Sequence, residues 1–195
     1  MDEHLPRLPR SDARDNRERI LTAARDVFAT DGLAVPMRVV ARRAEVGPAT
    51  LYRHFPTKEQ LITEAFTGQM RVCADIVAAG LADPDPWRGF RVAIEHLCEM
   101  HVRDRGFTAA FMSAFPDSVD FVAARADSMS AMADLLRRAK ETGRMRADVV
   151  FDDIVLILMA NSGIRAATEA AAVAASRRFA TLAIQGLRAL PADAA

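Results

Sequence analysis

Apolar residues recur at helical spacing along nearly the whole chain, and nowhere do they alternate with polar ones over a useful strand length. From about residue 13 to 30, Ile20, Leu21, Ala24, Val27 and Phe28 share one face, with Arg and Asp between them. Asp31-Gly32 closes that helix, because glycine takes the left-handed backbone of a helix C-cap. Pro36 at a first helical position opens a short second helix to about Ala44, with Val39, Val40 and Ala41 inward. Glu45-Val46-Gly47-Pro48 breaks it, and a third short helix follows from about Pro48 to His54. Thr57-Lys58-Glu59-Gln60 has the form of a capping box. It starts a fourth helix, whose apolar face (Leu61, Ile62, Ala65, Phe66, Met70) continues to about Leu81. Beyond the breaker Asp83-Pro84-Asp85-Pro86, the pattern predicts helices near 87–104, 107–114, 118–141, 149–168 and 172–189. The expected fold is all-α, with about nine helices and no internal repeat.

Composition narrows the function classes. A chain of 195 residues that is 51% hydrophobic and 27% charged can bury a sizeable core, which excludes disordered and fibrous classes. The longest apolar run, about Ile154 to Ala160, is far short of the roughly 20 residues that span a bilayer. The N-terminal residues Met1 to Pro6 show no basic segment followed by an apolar one, so a cytoplasmic protein without membrane contact is expected. Two cysteines, Cys73 and Cys98, are too few for a disulfide framework. Cys98 and His101 share a helix face with Glu95 one turn before, but no Cys-x-x-Cys or His-x-x-x-His spacing occurs. Buried thiols are the better reading, with no metal and no cofactor. Gly-x-Ser-x-Gly, a phosphate loop and His-Glu-x-x-His are all missing, so no catalytic residue is assigned and an enzyme is not expected.

Charge is informative only locally, since 26 basic residues balance 26 acidic ones. Between residues 7 and 58, ten Arg and one Lys oppose four Asp and two Glu, a surplus of five. The basic potential therefore gathers at one end, the polarity that phosphate attraction wants. Three helices in about 45 residues, the last two joined by three or four, have the dimensions of a helix-turn-helix unit.

The chain resembles the TetR-type transcriptional regulators through residues 15–65. The resemblance rests on Ile20-Leu-x-Ala-Ala-x-x-x-Phe28, Asp31-Gly-Leu33, Val40-Ala-x-x-Ala44-x-Val46 and Ala49-Thr-Leu-Tyr-Arg-His-Phe-Pro-x-Lys-Glu59, in order and at matching spacing. It implies an N-terminal helix-turn-helix DNA-binding domain followed by a larger helical domain for ligand binding and dimerisation. A helix led by Gly47-Pro48 fits a major groove end-on, and Pro48 and Ala49 are small enough to approach a thymine methyl. Thr50, Tyr52 and His54 offer donors to phosphates, Arg53 adds a further contact, and Lys58 sits in the first turn of the next helix. Arg38 matches a position that contacts bases in some members, so Arg38, Pro48 and Ala49 would carry discrimination. Leu51 and Phe55 read as core. Ala34-Val35-Pro36 departs from the family's usual Ser or Thr cap on the second helix, which shifts weight to Arg10, Arg14 and Arg17 near the N-terminal arm.

Beyond about residue 83, Trp87, Phe90, Met100, Phe107, Phe111, Met112, Phe115, Met129 and Met132 supply large, adaptable apolar side chains. Such a cluster is either plain core or the lining of a pocket. Phe107, Phe111, Met129 and Met132 are the candidate ligand-binding residues, and the scarcity of polar groups favours a small lipophilic or aromatic ligand. Helix 149–168 is apolar nearly all round, so with few residues left to cover it, a symmetric partner is the natural cover. A homodimer through 149–168 and 172–189 follows, with Gly163 and Gly186 available for close approach; burial of both helices within one subunit is the other option. The expected organisation is a flexible arm over 1–12, a DNA-binding domain over 13–56, a connecting helix over 57–82, and a ligand-binding and dimerisation domain over 83–195. The leading reading is a homodimeric repressor that binds a near-palindromic double-stranded operator and is released by a small, mainly apolar ligand. The alternative is a non-specific DNA-binding or scaffold protein.

Overall fold

A computed structural model describes residues 9–112 and 119–189. Among them the chain forms nine α-helices and no strand, with one isolated antiparallel bridge between Met145 and Arg188. The all-helical expectation is met, and the helices fall close to the predicted spans. The first helix, α1 (Pro9–Asp31), starts earlier than its apolar pattern does; the arm expected over 1–12 otherwise lies outside the described residues. α2 (Met37–Arg43) and α3 (Pro48–His54) are short, and α4 (Lys58–Ala82) is the longest. The Thr57 hydroxyl accepts a hydrogen bond from the Gln60 N–H at 3.2 Å, the cap that its sequence position foretells. Pro36 lies one residue outside α2, as an N-cap that makes no side-chain hydrogen bond.

The remaining helices are α5 (Pro86–Arg103), α6 (Arg105–Met112), α7 (Val119–Glu141), α8 (Phe151–Ser162) and α9 (Glu169–Gly186). Asp85 stops the backbone between α4 and α5 by accepting from the N–H groups of Trp87 (3.1 Å) and Arg88 (3.2 Å). α8 is shorter than periodicity suggested. Gly163 ends it as the C-cap, and Thr168 opens α9 by accepting from Ala171 N–H at 3.2 Å. Gly163 is thus a helix terminus, and Gly186 has no atom near enough to make it a close-approach point.

α5 lies at the centre, against α4, α7, α8 and α9. Its contact with α4 is backbone to backbone: a Cβ on Gly89 would meet the Gly80 carbonyl oxygen at 2.2 Å. A buried polar chain fastens its other side. Asn161 Nδ2 donates to the Cys98 carbonyl at 2.7 Å, and the Ser176 hydroxyl donates to Asn161 Oδ1 at 2.8 Å. α1 packs on α2, α4 and α6, and one continuous apolar core runs from Ile20 to Leu187. Along it Phe28 of α1, Phe66 of α4 and Phe107 and Phe111 of α6 form a chain of rings with centroids 6.2, 6.1 and 5.6 Å apart.

Gly89→Ala should lower stability by about 1–3 kcal/mol, because α4 and α5 have to part. Gly68→Ala, in mid-helix with nothing within 4 Å of the new methyl, should raise it by roughly 0.5–1 kcal/mol. Urea unfolding of the two variants checks both signs.

Candidate nucleic-acid interface and buried cavity

The turn between α2 and α3 decides how α3 is presented. Glu45 N–H bonds to the Arg42 carbonyl (3.1 Å) and Val46 N–H to the Ala41 carbonyl (3.0 Å), the paired pattern of a Schellman motif. Its left-handed residue is Glu45, with φ 55°, where glycine is usual. Arg19 on α1 holds this turn, donating to the carbonyls of Ala44 (2.8 Å) and Glu45 (3.3 Å) and pairing with the Glu45 carboxylate at 3.7 Å. Arg17 holds the other end of α3. It donates to the His54 carbonyl, pairs with Glu64 and lies 4.6 Å from the centroid of the Phe55 ring. Arg17 therefore belongs to the packing of α1 on α3 and α4 and is not an arm residue, as sequence alone suggested. Arg14 is exposed on α1, and Arg10 lies in the same helix.

With Leu51 and Phe55 fully buried, α3 turns the rest of its surface outward. Pro48, Ala49, Tyr52 and Arg53 are exposed, Tyr52 by 51%, and Thr50 is half-buried beside them. Arg38 is exposed on α2, and Lys58 is half-buried in the first turn of α4. Burial lowers the Lys58 pKa, against the opposing pull of Glu59. Burial also lowers the pKa of His54, helped by the positive charges of Arg53 and Arg17. Its Nε2 has no hydrogen-bond partner among the described residues. A neutral imidazole there would meet an anion through a hydrogen bond and not through charge. The three-helix unit thus displays a helix flanked by basic and hydroxyl groups with the size to enter a major groove.

Between α4, α5, α6, α7 and α8 lies a cavity of about 90 Å³. Phe111, Met129 and Met132 line it, together with Cys73, Leu97, His101, Arg125, Ser128, Ile154 and Met159 among others. Phe107 does not reach it. That ring is fully buried behind Phe111, between His101 and Phe66, because α6 turns it toward α4. Phe115 lies outside the described residues. Sequence reasoning missed the polar members. Arg125 precedes Met129 and Met132 by four and seven residues on α7, the spacing of one helix face, and that pattern could have found it.

His101 is fully buried, with Nδ1 2.8 Å from the Thr108 hydroxyl oxygen. Burial pushes its pKa down to about 4, and pushes the thiols of Cys73 and Cys98 up to about 11 and about 12. Both cysteines are free and buried, so thiolate chemistry is suppressed. Among the described residues no group of three or more His, Cys, Asp or Glu is placed to hold a metal, and no helix is long and apolar enough to cross a membrane. On the outer face of α8 and α9, Leu156 (63%), Met159 (52%) and Leu182 (49%) are exposed. The all-round apolar character of α8 is therefore met on its inner side only.

Comparison with known proteins agrees with this architecture. Residues 20–65 match the model of bacterial regulatory proteins of the tetR family, and residues 85–189 match that of the SbtR-like transcriptional regulator C-terminal domain. A crystal structure of a TetR transcription regulatory protein from Mycobacterium vanbaalenii is 32% identical, covering 92% of this chain and 99% of that one, with a TM-score of 0.52. A TetR transcriptional regulator from Streptomyces coelicolor is 28% identical over 90% of this chain and 99% of its own, with a TM-score of 0.53. The HTH-type transcriptional repressor KstR of Mycolicibacterium smegmatis is 35% identical over 129 residues, which is 62% of this chain. The match spans 63% of the length of that curated relative. These relatives are transcriptional regulators, not enzymes.

The buried imidazole has a consequence for stability. An ordinary histidine titrates near 6.5 and folded His101 near 4, so between these values the unfolded chain holds a proton that the folded chain lacks. Its contribution is fully present above about pH 6.5 and is lost as pH falls toward 4, by roughly 3 kcal/mol at about 1.4 kcal/mol per unit. His101→Gln should flatten this part of the curve, as read by urea unfolding at a series of pH values.

Proposed function

This chain belongs to the TetR family of bacterial regulatory proteins, and on that premise we propose that it is a homodimeric transcriptional repressor, bound to a near-palindromic operator and released by a small, mainly apolar ligand. The observation that carries the reading is the outward face of α3, held at both ends by Arg17 and Arg19 on a basic three-helix unit. In this reading Arg38, Pro48 and Ala49 meet base edges, while Thr50, Tyr52, Arg53, His54 and Lys58 meet phosphates. Residues 13–56 contact DNA, 57–82 connect, and those from 83 onward bind ligand and dimerise.

The exposed Leu156, Met159 and Leu182 support a dimer through α8 and α9, since a second copy of the same face would cover them. Two such subunits would set their α3 helices roughly 34–36 Å apart on DNA. The cavity supports ligand control. Phe111 forms part of its wall and begins the chain of rings that runs through Phe107 and Phe66 to Phe28 in the DNA-contacting unit. A ligand that fits only when Phe111 is displaced would shift α4 and change the spacing of the two α3 helices. The energetic requirement is that it prefer the conformation unable to bind DNA.

Selection of binding sites from random duplex DNA should recover an inverted repeat, and titration at two salt concentrations should show a steep salt slope. Tyr52→Phe and Lys58→Ala should each weaken binding to every sequence, the latter also lowering the slope by about one. Recovery of no preferred sequence would favour the non-specific reading. Leu182→Asp should turn a dimer into a monomer in sedimentation without loss of helicity, and an unchanged mass would move the interface elsewhere.

A further inference from the structure

The cavity is apolar but carries two nitrogens that nothing among the described residues satisfies. One is His101 Nε2, on a residue with no solvent exposure; the other is Arg125 Nε. Both side chains line the cavity and flank the same ring. His101 lies 6.2 Å from the Phe111 centroid, and the Arg125 guanidinium lies 6.0 Å from it.

Hydrogen bonding around Thr108 bears on which kind of partner Nε2 needs. The Thr108 hydroxyl has one proton, and two backbone carbonyls stand ready to accept it, those of Asp104 (3.0 Å) and His101 (3.1 Å). With that proton on a carbonyl, the hydroxyl oxygen accepts toward His101, which puts the ring proton on Nδ1. Nε2 is left as a bare lone pair. Burial keeps the ring neutral, so this nitrogen does not gain a proton of its own at neutral pH. A lone pair sealed among apolar side chains rewards a donor and repels an anion. Arg125 has the opposite appetite, as a cation with an unsatisfied N–H.

We propose that the ligand is a hydroxylated apolar acid of about single-ring size, whose hydroxyl donates to His101 Nε2 and whose carboxylate or carbonyl accepts from Arg125. This deepens the reading of the cavity as the ligand site and rests on it. The unfilled volume, about 90 Å³, is below the roughly 150 Å³ of a cavity that accepts benzene. Met129 and Met132 line it, and their unbranched side chains supply the missing room by changing rotamer.

Three probes test the proposal by calorimetry on the full chain: 4-hydroxybenzoate, 4-methylbenzoate and 4-methylphenol. 4-Methylbenzoate keeps the acid and replaces the hydroxyl with a methyl of similar size. 4-Hydroxybenzoate should bind at least about ten-fold tighter, because the methyl leaves Nε2 unpaired. His101→Phe should bring that ratio to about one. Thr108→Val should also lower it, since Nδ1 loses its acceptor and the ring is free to take the other tautomer. Arg125→Met should weaken both acids and leave 4-methylphenol unchanged. Equal binding of 4-hydroxybenzoate and 4-methylbenzoate, or a ratio that survives both His101→Phe and Thr108→Val, would overturn the donor requirement while leaving the cavity a ligand site. Failure of all three probes to bind would overturn the ligand-site reading and this inference with it.

Discussion

Phe66 stands on α4 with Phe28 on one side and Phe107 on the other, and the arrangement of the chain depends on that stack. Phe28 anchors the three helices at the basic end; Phe107 belongs to the helix that continues into the cavity wall. Gly106 lets α6 come close, since a Cβ there would meet the Ala29 backbone nitrogen at 2.9 Å. Because interiors are packed like solids, displacing one ring of such a series moves the next. The basic unit and the helices around the cavity consequently share one apolar core.

The arginines divide into two groups by what they touch. Arg17 and Arg19 spend their donors on carbonyls at the two ends of α3 and on Glu64 and Glu45. Arg38 and Arg53 stay exposed, and their charge is available to a phosphate backbone. A local surplus of positive charge thus both builds the helix-turn-helix unit and provides its field. Counting charges along the sequence cannot separate these uses, because Arg17 and Arg19 look like any arginine between apolar positions.

Most of the architecture is legible in the sequence. Helix spans followed from 3.6-residue periodicity and from local punctuation such as Thr57 and Asp83-Pro84-Asp85-Pro86, interactions that are close in sequence. The break between α8 and α9 falls at Gly163 to Thr168 and not in the alanine-rich stretch around 170–175, because the Gly163 cap ends α8 and the Thr168 hydroxyl starts α9. Phe107 was placed on the cavity from composition, whereas its direction is set by how α6 packs on α4. The sequence singles out His101 only as a metal candidate and does not single out Arg125, because their role at the cavity comes from partners they lack, and an unmet hydrogen bond is a property of three dimensions.

The hydrogen-bonded chain from Cys98 through Asn161 to Ser176 has a bearing on the proposed dimer. Greasy helix faces alone can slip by a turn at small cost, but an amide shared between α5 and α9 has one position in which both its ends are satisfied. α8 and α9 are therefore fixed in register before any partner arrives. In the proposed dimer, Leu156, Met159 and Leu182 would present a face already fixed in its backbone, so a second copy docking there would lose little further backbone freedom and keep most of the apolar gain as affinity.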